Sequence, residues 1–124
     1  MVLVDTSVWI DYFAGEEKAA RLTYLLDTNH VCINDLILAE LIPSINLLKE
    51  FALRDLLLAV QRLDLVVDWN QLILMQTMNL KNGINKVGIP DLIIAQNAME
   101  NDVALFANDR HFQIMSTVHP LRLY

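Results

Sequence analysis

The stretch GIPDLIIAQNAMENDVALFANDRHF, residues Gly88–Phe112, decides the fold because it combines a helix that opens at Asp91 with a strand that leads to Asp109. Its spacing predicts a helix over Asp91–Asn101, which opens beside a proline as first helical turns often do. The apolar run Val103–Phe106 predicts a buried strand, and Asp109 follows it. Asp91 and Asp109 are 18 positions apart (109 − 91), enough for one helix down and one strand back. We therefore expect both carboxylates at the same edge of a sheet.

The rest of the chain repeats this alternation of short apolar strands and helices. Further strands are predicted at Met1–Val4, Val31–Ile33 and Leu65–Val67, with a fifth within Thr117–Leu123. Further helices are predicted from a cap at Thr6 or Ser7 to Gly15, from Glu16 to Asp27, from a cap at Asn34, from Leu47 to Arg62 and from Asn70 to Asn82. Such alternation gives right-handed crossovers and a mostly parallel sheet covered on both faces. The fold class is therefore α/β, with three layers, four to five short strands and one domain over residues 1–124.

The helix that follows the second strand carries Glu40 and Pro43. Pro43 is expected to kink or end this helix, since its ring clashes with the carbonyl of Ala39. Glu40 is expected to be buried, because all the remaining residues of Leu36–Ile42 are apolar. A buried carboxylate without a partner is costly or becomes neutral. We therefore expect Glu40 to belong to a polar site.

Four acidic residues converge on one edge of the predicted sheet: Asp5, Glu40, Asp91 and Asp109. Parallel strands end at the same edge, and ligand sites of open α/β sheets lie there. At a separation of ~5 Å and an effective dielectric of ~20, each carboxylate pair costs roughly 3 kcal/mol. A hard cation such as Mg²⁺ or Mn²⁺ offsets this repulsion. The pattern therefore predicts a divalent-metal site and metal-assisted hydrolysis.

Simpler explanations exist for three of these acids when each is taken alone. Asp5 suits a helix cap, Asp91 suits the positive end of a helix, and Asp109 suits a turn. Glu40 has no comparable explanation in its apolar surroundings. One shared site accounts for all four acids, so we prefer it to four separate reasons.

The composition limits the classes of partner and compartment. The chain is 55% hydrophobic with a mean hydropathy of +0.37, so part of its apolar surface is expected to be covered by a partner. Its net charge of −6 argues against gripping nucleic acid by bulk electrostatics. No apolar run has the length of a membrane span, and Met1–Val4 leaves no place for a signal peptide. The single Cys32 excludes an intrachain disulfide and fits a reducing cytoplasm.

Other catalytic chemistries lack their residues. The chain contains neither a glycine-rich phosphate loop followed by Lys and Ser/Thr nor a GxGxxG motif. Asp5 is not followed two positions later by the second Asp of aspartyl-phosphate phosphatases. Cys32 is expected to be a small core residue rather than a nucleophile. The scattered His30, His111 and His119 are expected to be surface or structural residues more often than ligands.

Three segments together resemble PIN-domain ribonucleases, and more narrowly the VapC-type toxins of bacterial and archaeal toxin–antitoxin systems. They are VDTSVWIDYF at Val4–Phe13, INDLILAEL at Ile33–Leu41, and Gly88–Phe112. The resemblance spans essentially the whole chain and implies a PIN-like three-layer fold. It departs from the family at Ala107, where Thr or Ser is frequent, which weakens the expected hold on Asp109. Pro43 is also unusual for the helix it lies in.

The resemblance implies Mg²⁺- or Mn²⁺-dependent cleavage of phosphodiesters in single-stranded or looped RNA. The implied acidic site consists of Asp5, Glu40, Asp91 and Asp109. Asp5 and Asp91 are expected to hold the metal directly, while the other two acids bind through water, orient the nucleophile or hold a second ion. A hydroxyl of Thr6 or Ser7 is expected to support the site. Three residues near its mouth either contact substrate phosphates or form an ordinary solvated surface: Lys86, Arg110 and His111.

The resemblance also implies partners: a second copy of the chain in a homodimer, and an antitoxin whose tail lies along hydrophobic grooves. The helices between Asn34 and Arg62 are the expected antitoxin surface, unless their apolar side chains only fill the core. Two alternatives stay open. One is a catalytically weak PIN domain that binds RNA or a protein, and the other is a metal-dependent phosphatase or DNA nuclease that uses the same acids.

Overall fold

The computed structural model describes all residues from Met1 to Tyr124 and confirms the α/β class. Its strands are β1 Val2–Val4, β2 Val31–Ile33, β3 Gln61–Arg62 and β4 Ala104–Phe106. Its α-helices are α1 Thr6–Phe13, α2 Ala20–Asp27, α3 Asp35–Leu47, α4 Phe51–Ala59, α5 Trp69–Lys81, α6 Ile89–Glu100 and α7 Arg110–Met115. A 3₁₀ turn at Glu17–Ala19 precedes α2. Helix α7 has no counterpart in the sequence prediction.

The four strands form one parallel sheet in the order β3-β2-β1-β4. Right-handed crossovers in this order place α1–α4 on one face and α5 and α6 on the other. The helix contacts agree, since α1 packs on α2 and α3 while α5 packs on α6. All residues of β1 and β2 are buried, as expected for strands covered on both faces. The three-layer prediction is therefore confirmed.

The third strand lies earlier in the chain than predicted. The prediction of Leu65–Val67 is wrong, because β3 is Gln61–Arg62 and pairs with Cys32 and Ile33 of β2. Helix α4 correspondingly ends at Ala59, whereas the predicted helix continued to Arg62. The apolar run at Leu65–Val67 was mistaken for a strand because a short apolar run does not by itself distinguish a strand from a packed loop.

Side chains of α6 replace strand pairing around that loop. The Asn97 side chain donates to the Asp64 carbonyl at 2.8 Å, and Gln96 bonds both the N–H and the carbonyl of Asp68 at 3.1 and 3.0 Å. Asn34 donates to the Asn97 side chain at 2.9 Å. Asn34, Gln96 and Asn97, at most 1% exposed, form what we call the buried amide cluster. This cluster supplies the loop with hydrogen bonds that a sheet would otherwise provide.

Helix α3 continues past Pro43 to Leu47, so of the two expected outcomes, a kink or an end of the helix, the second is wrong. Pro43 has no N–H to offer the Ala39 carbonyl, but Ala39 is exposed and water can satisfy that carbonyl. The break comes instead at Leu48–Glu50, where Lys49 has a φ of 56°. The predicted single helix from Leu47 to Arg62 is therefore wrong at both ends.

The C-terminal segment adds only one parallel bridge, between Leu105 and Leu123, rather than a fifth strand. Its backbone bonds run from the Leu105 N–H to the Arg122 carbonyl and from the Tyr124 N–H to the Leu105 carbonyl.

Cys32 is fully buried, and burial raises the pKa of its thiol to about 11, in keeping with the predicted core role. None of the helices combines the length and the apolar content needed to cross a bilayer.

Candidate active site

The parallel register of β1 and β4 places Asp5 and Asp109 at the same edge of the sheet. Val4 pairs with Phe106, and the Asp5 N–H donates to the Phe106 carbonyl at 2.8 Å. Asp5 caps α1 and Asp109 caps α7, so each carboxylate lies where a strand gives way to a helix. Asp91 lies in the first turn of α6.

Asp5 is the most enclosed of the four acids, with 6% of its surface exposed. Its Oδ2 accepts hydrogen bonds from the Ser7 hydroxyl at 2.8 Å and from the Ser7 N–H at 3.3 Å. Burial raises the pKa of Asp5, the bonds from Ser7 lower it, and the Asp109 charge raises it further, with a net upward shift. The folded chain therefore keeps this carboxylate in a place that disfavours its charge.

The Ser7 hydroxyl also connects the segment that follows β1 to the segment that follows β4. Besides donating to Asp5, it accepts from the Asn108 N–H at 3.1 Å, which fixes the loop that leads to Asp109. The Asn108 side chain donates to Asp11 of α1. These contacts hold the loop although Ala107 offers no hydroxyl. Sequence reasoning missed Asn108 and Asp11, although Asp11 lies four positions after Ser7 and so on the same face of α1.

Glu40 joins the site through Thr6, whose hydroxyl donates to the Glu40 carboxylate at 2.9 Å. The expectation that Glu40 is buried is wrong, since α3 exposes Ala39 and Glu40 while Leu38 and Leu41 face the core. The pKa of Glu40 is raised because its carboxylate is partly desolvated in the cleft. The Thr6 hydrogen bond lowers it, and the charges of Asp5 and Asp91 raise it. Thr6 and Ser7 thus each bond one acid.

Asp91, Asp109 and His111 meet around one point. The His111 Nδ1 lies 3.4 Å from the Asp91 Oδ2 and 3.4 Å from the Asp109 Oδ1. One ligand atom from each of the three residues lies within 4.8 Å of the others, so one ion could contact all three. Burial raises the pKa of Asp91, the His111 hydrogen bond lowers it, and the charges of Asp109 and Asp5 raise it, with a net upward shift.

The donor chemistry of the site fits a hard divalent cation. Four carboxylates supply oxygen ligands, and no Lys or Arg forms an ion pair with any of them. Neighbouring carboxylate charges contribute to the raised pKa values of Asp5, Glu40 and Asp91, as repelling groups do. The group of three that surrounds one point contains Asp91 but not Asp5, and it adds His111, which the sequence analysis did not favour as a metal ligand.

The cationic residues expected near the site do lie beside it. Lys86 lies in the loop between α5 and α6, and Arg110 is the first residue of α7. Together with His111 they line a cavity of about 520 Å³. Neither Lys86 nor Arg110 is paired with a carboxylate, so both charges are free for a ligand.

Comparisons with known proteins found a matching family model and solved structures of similar fold. A family model described as PIN domain matches residues 2–117. One similar solved structure is VapBC2 from Rickettsia felis, bound to a DNA fragment from the VapBC2 promoter. A chain of that structure superposes on this one with a TM-score of 0.77 at 19% identity, and the match covers 100% of this chain and 98% of that one. A chain from FitAcB of Neisseria gonorrhoeae gives a TM-score of 0.70 at 17% identity, covering 100% and 96%. None of the curated proteins matches the sequence significantly.

Proposed function

Since the chain belongs to the PIN domain family, a family of nucleases with an acidic metal-binding cluster, we propose that it is a metal-dependent endoribonuclease and the toxin of a toxin–antitoxin pair. The observation that carries this proposal is the meeting of Asp5, Glu40, Asp91 and Asp109 at one sheet edge. The raised pKa values of Asp5, Glu40 and Asp91, to which the charges of neighbouring acids contribute, support that meeting. A purely binding domain has no need of four repelling carboxylates.

Each acid has a proposed role in this reaction. Asp5 and Asp91 would hold Mg²⁺ or Mn²⁺ directly, and Asp109 would share the ion, since its carboxylate lies within 4.8 Å of that of Asp91. Glu40 accepts the proton of the attacking water, because its raised pKa and exposed position suit a general base. The bound cation would lower the pKa of water and neutralise charge that develops on the phosphate oxygens.

The supporting hydroxyls fix the orientation of the acids. Ser7 presents the Asp5 carboxylate and ties the Asp109 loop to α1, while Thr6 holds Glu40. Lys86 and Arg110, which line one cavity beside the acids, bind phosphates of the substrate strand. This local pair of cations supplies the attraction for RNA that the net charge of −6 does not.

Two exposed apolar faces support the proposed protein partners. The first, on α3 and α4, includes Leu47, Leu48, Phe51 and Leu58, which are 83%, 71%, 45% and 49% exposed. It borders a groove of about 350 Å³ that reaches Glu40, so an antitoxin tail bound there would also approach the acids. The second, on α5, includes Trp69, Ile73 and Leu74 at 60%, 64% and 69% exposure. We assign the first face to the antitoxin and the second to a homodimer that acts in the cytoplasm.

The test is cleavage of matched labelled substrates by the purified chain. We expect cleavage of single-stranded RNA, with the DNA of the same sequence and a small phosphodiester left intact. Chelator should stop the reaction, and added Mg²⁺ or Mn²⁺ should restore it. Cleavage of DNA in preference to RNA would support the alternative nuclease. RNA binding without any cleavage would support the binding module.

A further inference from the structure

We propose that the cavity between the α5–α6 loop and α7 binds the nucleotide next to the scissile phosphate of single-stranded RNA and reads its base. This inference rests on the proposed function and deepens it by locating a specificity site. The cavity has a volume of about 520 Å³, within the range of sites for nucleotide-sized ligands. We call it the α7 cavity, after the helix that forms one of its walls.

The charge of the α7 cavity contrasts with that of the rest of the protein. Lys86 and Arg110 line it, and none of its lining residues is acidic. The four other cavities contain no Lys or Arg, and two of them carry glutamates. In a chain of net charge −6, this is the cavity where a polyanion meets attraction rather than repulsion.

The α7 cavity adjoins the acidic site through His111. The ring lines the cavity, while its Nδ1 lies 3.4 Å from both Asp91 and Asp109. A strand whose phosphate lies at the acids therefore has its neighbouring nucleotide at the cavity. Arg110, the residue between Asp109 and His111, is placed to contact a phosphate at the boundary of the two.

The wall that carries Lys86 is held in place by hydrogen bonds on both sides. The Ile84 N–H donates to the Asn79 carbonyl at 2.8 Å, and the Gln76 side chain donates to the Val87 carbonyl at 2.7 Å. Asn79 is itself buried and bonded to His119 at 2.7 Å. The loop is thus tied at both ends of the Ile84–Val87 segment, so the cavity is preformed, which lowers the entropy cost of binding.

Two amide side chains in the cavity are free to recognise a base. Asn85 and Gln113 line it, and neither side-chain amide has a hydrogen-bond partner within the protein. The Ser116 hydroxyl donates to the backbone carbonyl of Gln113, which leaves the Gln113 side chain free. Amides read base edges by pairing a donor with an acceptor, and unstacked RNA bases expose those edges. Ile84 and Ile114 add apolar surface for a base plane. Cations, amides and apolar contacts together fit a nucleotide better than an inorganic anion.

The first experiment measures affinity without cleavage. In the full chain carrying Asp5→Asn, the double variant Lys86→Ala/Arg110→Ala should bind a fluorescein-labelled single-stranded RNA about tenfold or more weakly by anisotropy. The slope of log Kd against log salt should fall by roughly 1.4, since each lost phosphate contact contributes about 0.7 on a single strand. The control Lys49→Asn/Arg122→Gln removes two charges elsewhere, and Asn suits the positive φ at position 49. It should change neither quantity.

The second experiment measures base reading in the cleaving chain. Cleavage ends of a randomised RNA should show a base preference at one position beside the cut. Asn85→Ala and Gln113→Ala should each reduce that preference about tenfold at that same position. A preference that survives both substitutions would overturn the inference.

The outcomes separate this inference from the function on which it rests. If the native chain cleaves RNA but the Lys86/Arg110 variant matches its charge control, only the α7 cavity assignment fails. If that variant loses affinity for the co-expressed antitoxin and not for RNA, the cavity binds the antitoxin and the inference is again wrong. If the native chain neither binds nor cleaves RNA, the proposed function itself fails.

Discussion

The acidic site and the buried amide cluster are both polar, and each joins segments far apart in the chain, yet their energetics are opposite. In the amide cluster, Asn34, Gln96 and Asn97 are neutral, buried and hydrogen-bonded to one another or to backbone. In the acidic site, Asp5, Glu40 and Asp91 have raised pKa values and no Lys or Arg partner. Polar groups that hydrogen-bond to other groups of the protein stabilise the fold, whereas carboxylates without a cationic partner destabilise it until a ligand binds.

The largest expected effect comes from removing one acid. Asp91→Asn should lower RNA cleavage by about 1,000-fold, because it removes a carboxylate on which both the proposed metal set and the His111 contact depend. Calorimetric titration should show the loss of Mg²⁺ binding, and circular dichroism should show an intact fold. The matched control is Asp55→Asn, an exposed carboxylate on α4, which should cleave at the native rate. Native activity in the Asp91 variant would remove this residue from the mechanism.

The amide cluster should respond in the opposite way, through stability. Asn97→Ala breaks the bonds to Asn34 and to the Asp64 carbonyl and leaves the buried side-chain N–H₂ group of Asn34 without its partner. We expect a loss of about 3 kcal/mol in the free energy of unfolding by urea, with cleavage per folded molecule retained. Asn46→Ala, an exposed amide in α3, should change stability by less than about 0.5 kcal/mol. Equal losses in the two variants would contradict the assigned role of the cluster.

The raised carboxylate pKa values predict a pH dependence of stability in the metal-free protein. A folded-state pKa above the unfolded value means that the folded chain binds protons more tightly than the unfolded chain does. The stability gained from this proton binding is fully present below the unfolded pKa, which is 3.8 for an Asp. It is lost as pH rises through the raised folded pKa of Asp5, Glu40 and Asp91. Asp5→Asn should therefore gain about 1 kcal/mol over the native chain at pH 7 in chelator.

That gain should shrink toward pH 4 in urea titrations, where Asp5 becomes protonated. Saturating Mg²⁺ should reverse the order, since it stabilises the chain that binds it. A variant that is no more stable than the native chain at pH 7 would show that the hydrogen bonds from Ser7 already offset the burial of the Asp5 charge.

The smallest effect concerns a supporting hydroxyl. Thr6→Val keeps the shape of the side chain but removes its hydrogen bond to Glu40. Cleavage should fall severalfold, and stability should change by less than about 1 kcal/mol because the bond is exposed. Thr77→Val, which removes an exposed hydroxyl bond within α5, should leave cleavage unchanged. An identical rate in both variants would leave Glu40 positioned by its helix alone.

The sequence predicted best the parts of the fold that follow from local order. The placement of Asp91 and Asp109 at the same sheet edge follows from one helix and one strand of the right lengths. The third strand was misplaced, because the choice between Gln61–Arg62 and Leu65–Val67 depends on contacts with α6. Whether Pro43 ends α3 was not decided by the sequence either, since it depends on whether the exposed Ala39 carbonyl can bond to water.

The sequence by itself determined that the acidic residues lie at one edge of the sheet, because a parallel sheet with right-handed crossovers leaves few other places for them. Only the tertiary structure decided that Glu40 is exposed, that Ser7 rather than residue 107 secures the Asp109 loop, and that His111 joins Asp91 and Asp109. These are contacts between side chains from separate elements, and their geometry depends on packing angles that no local pattern of residues contains.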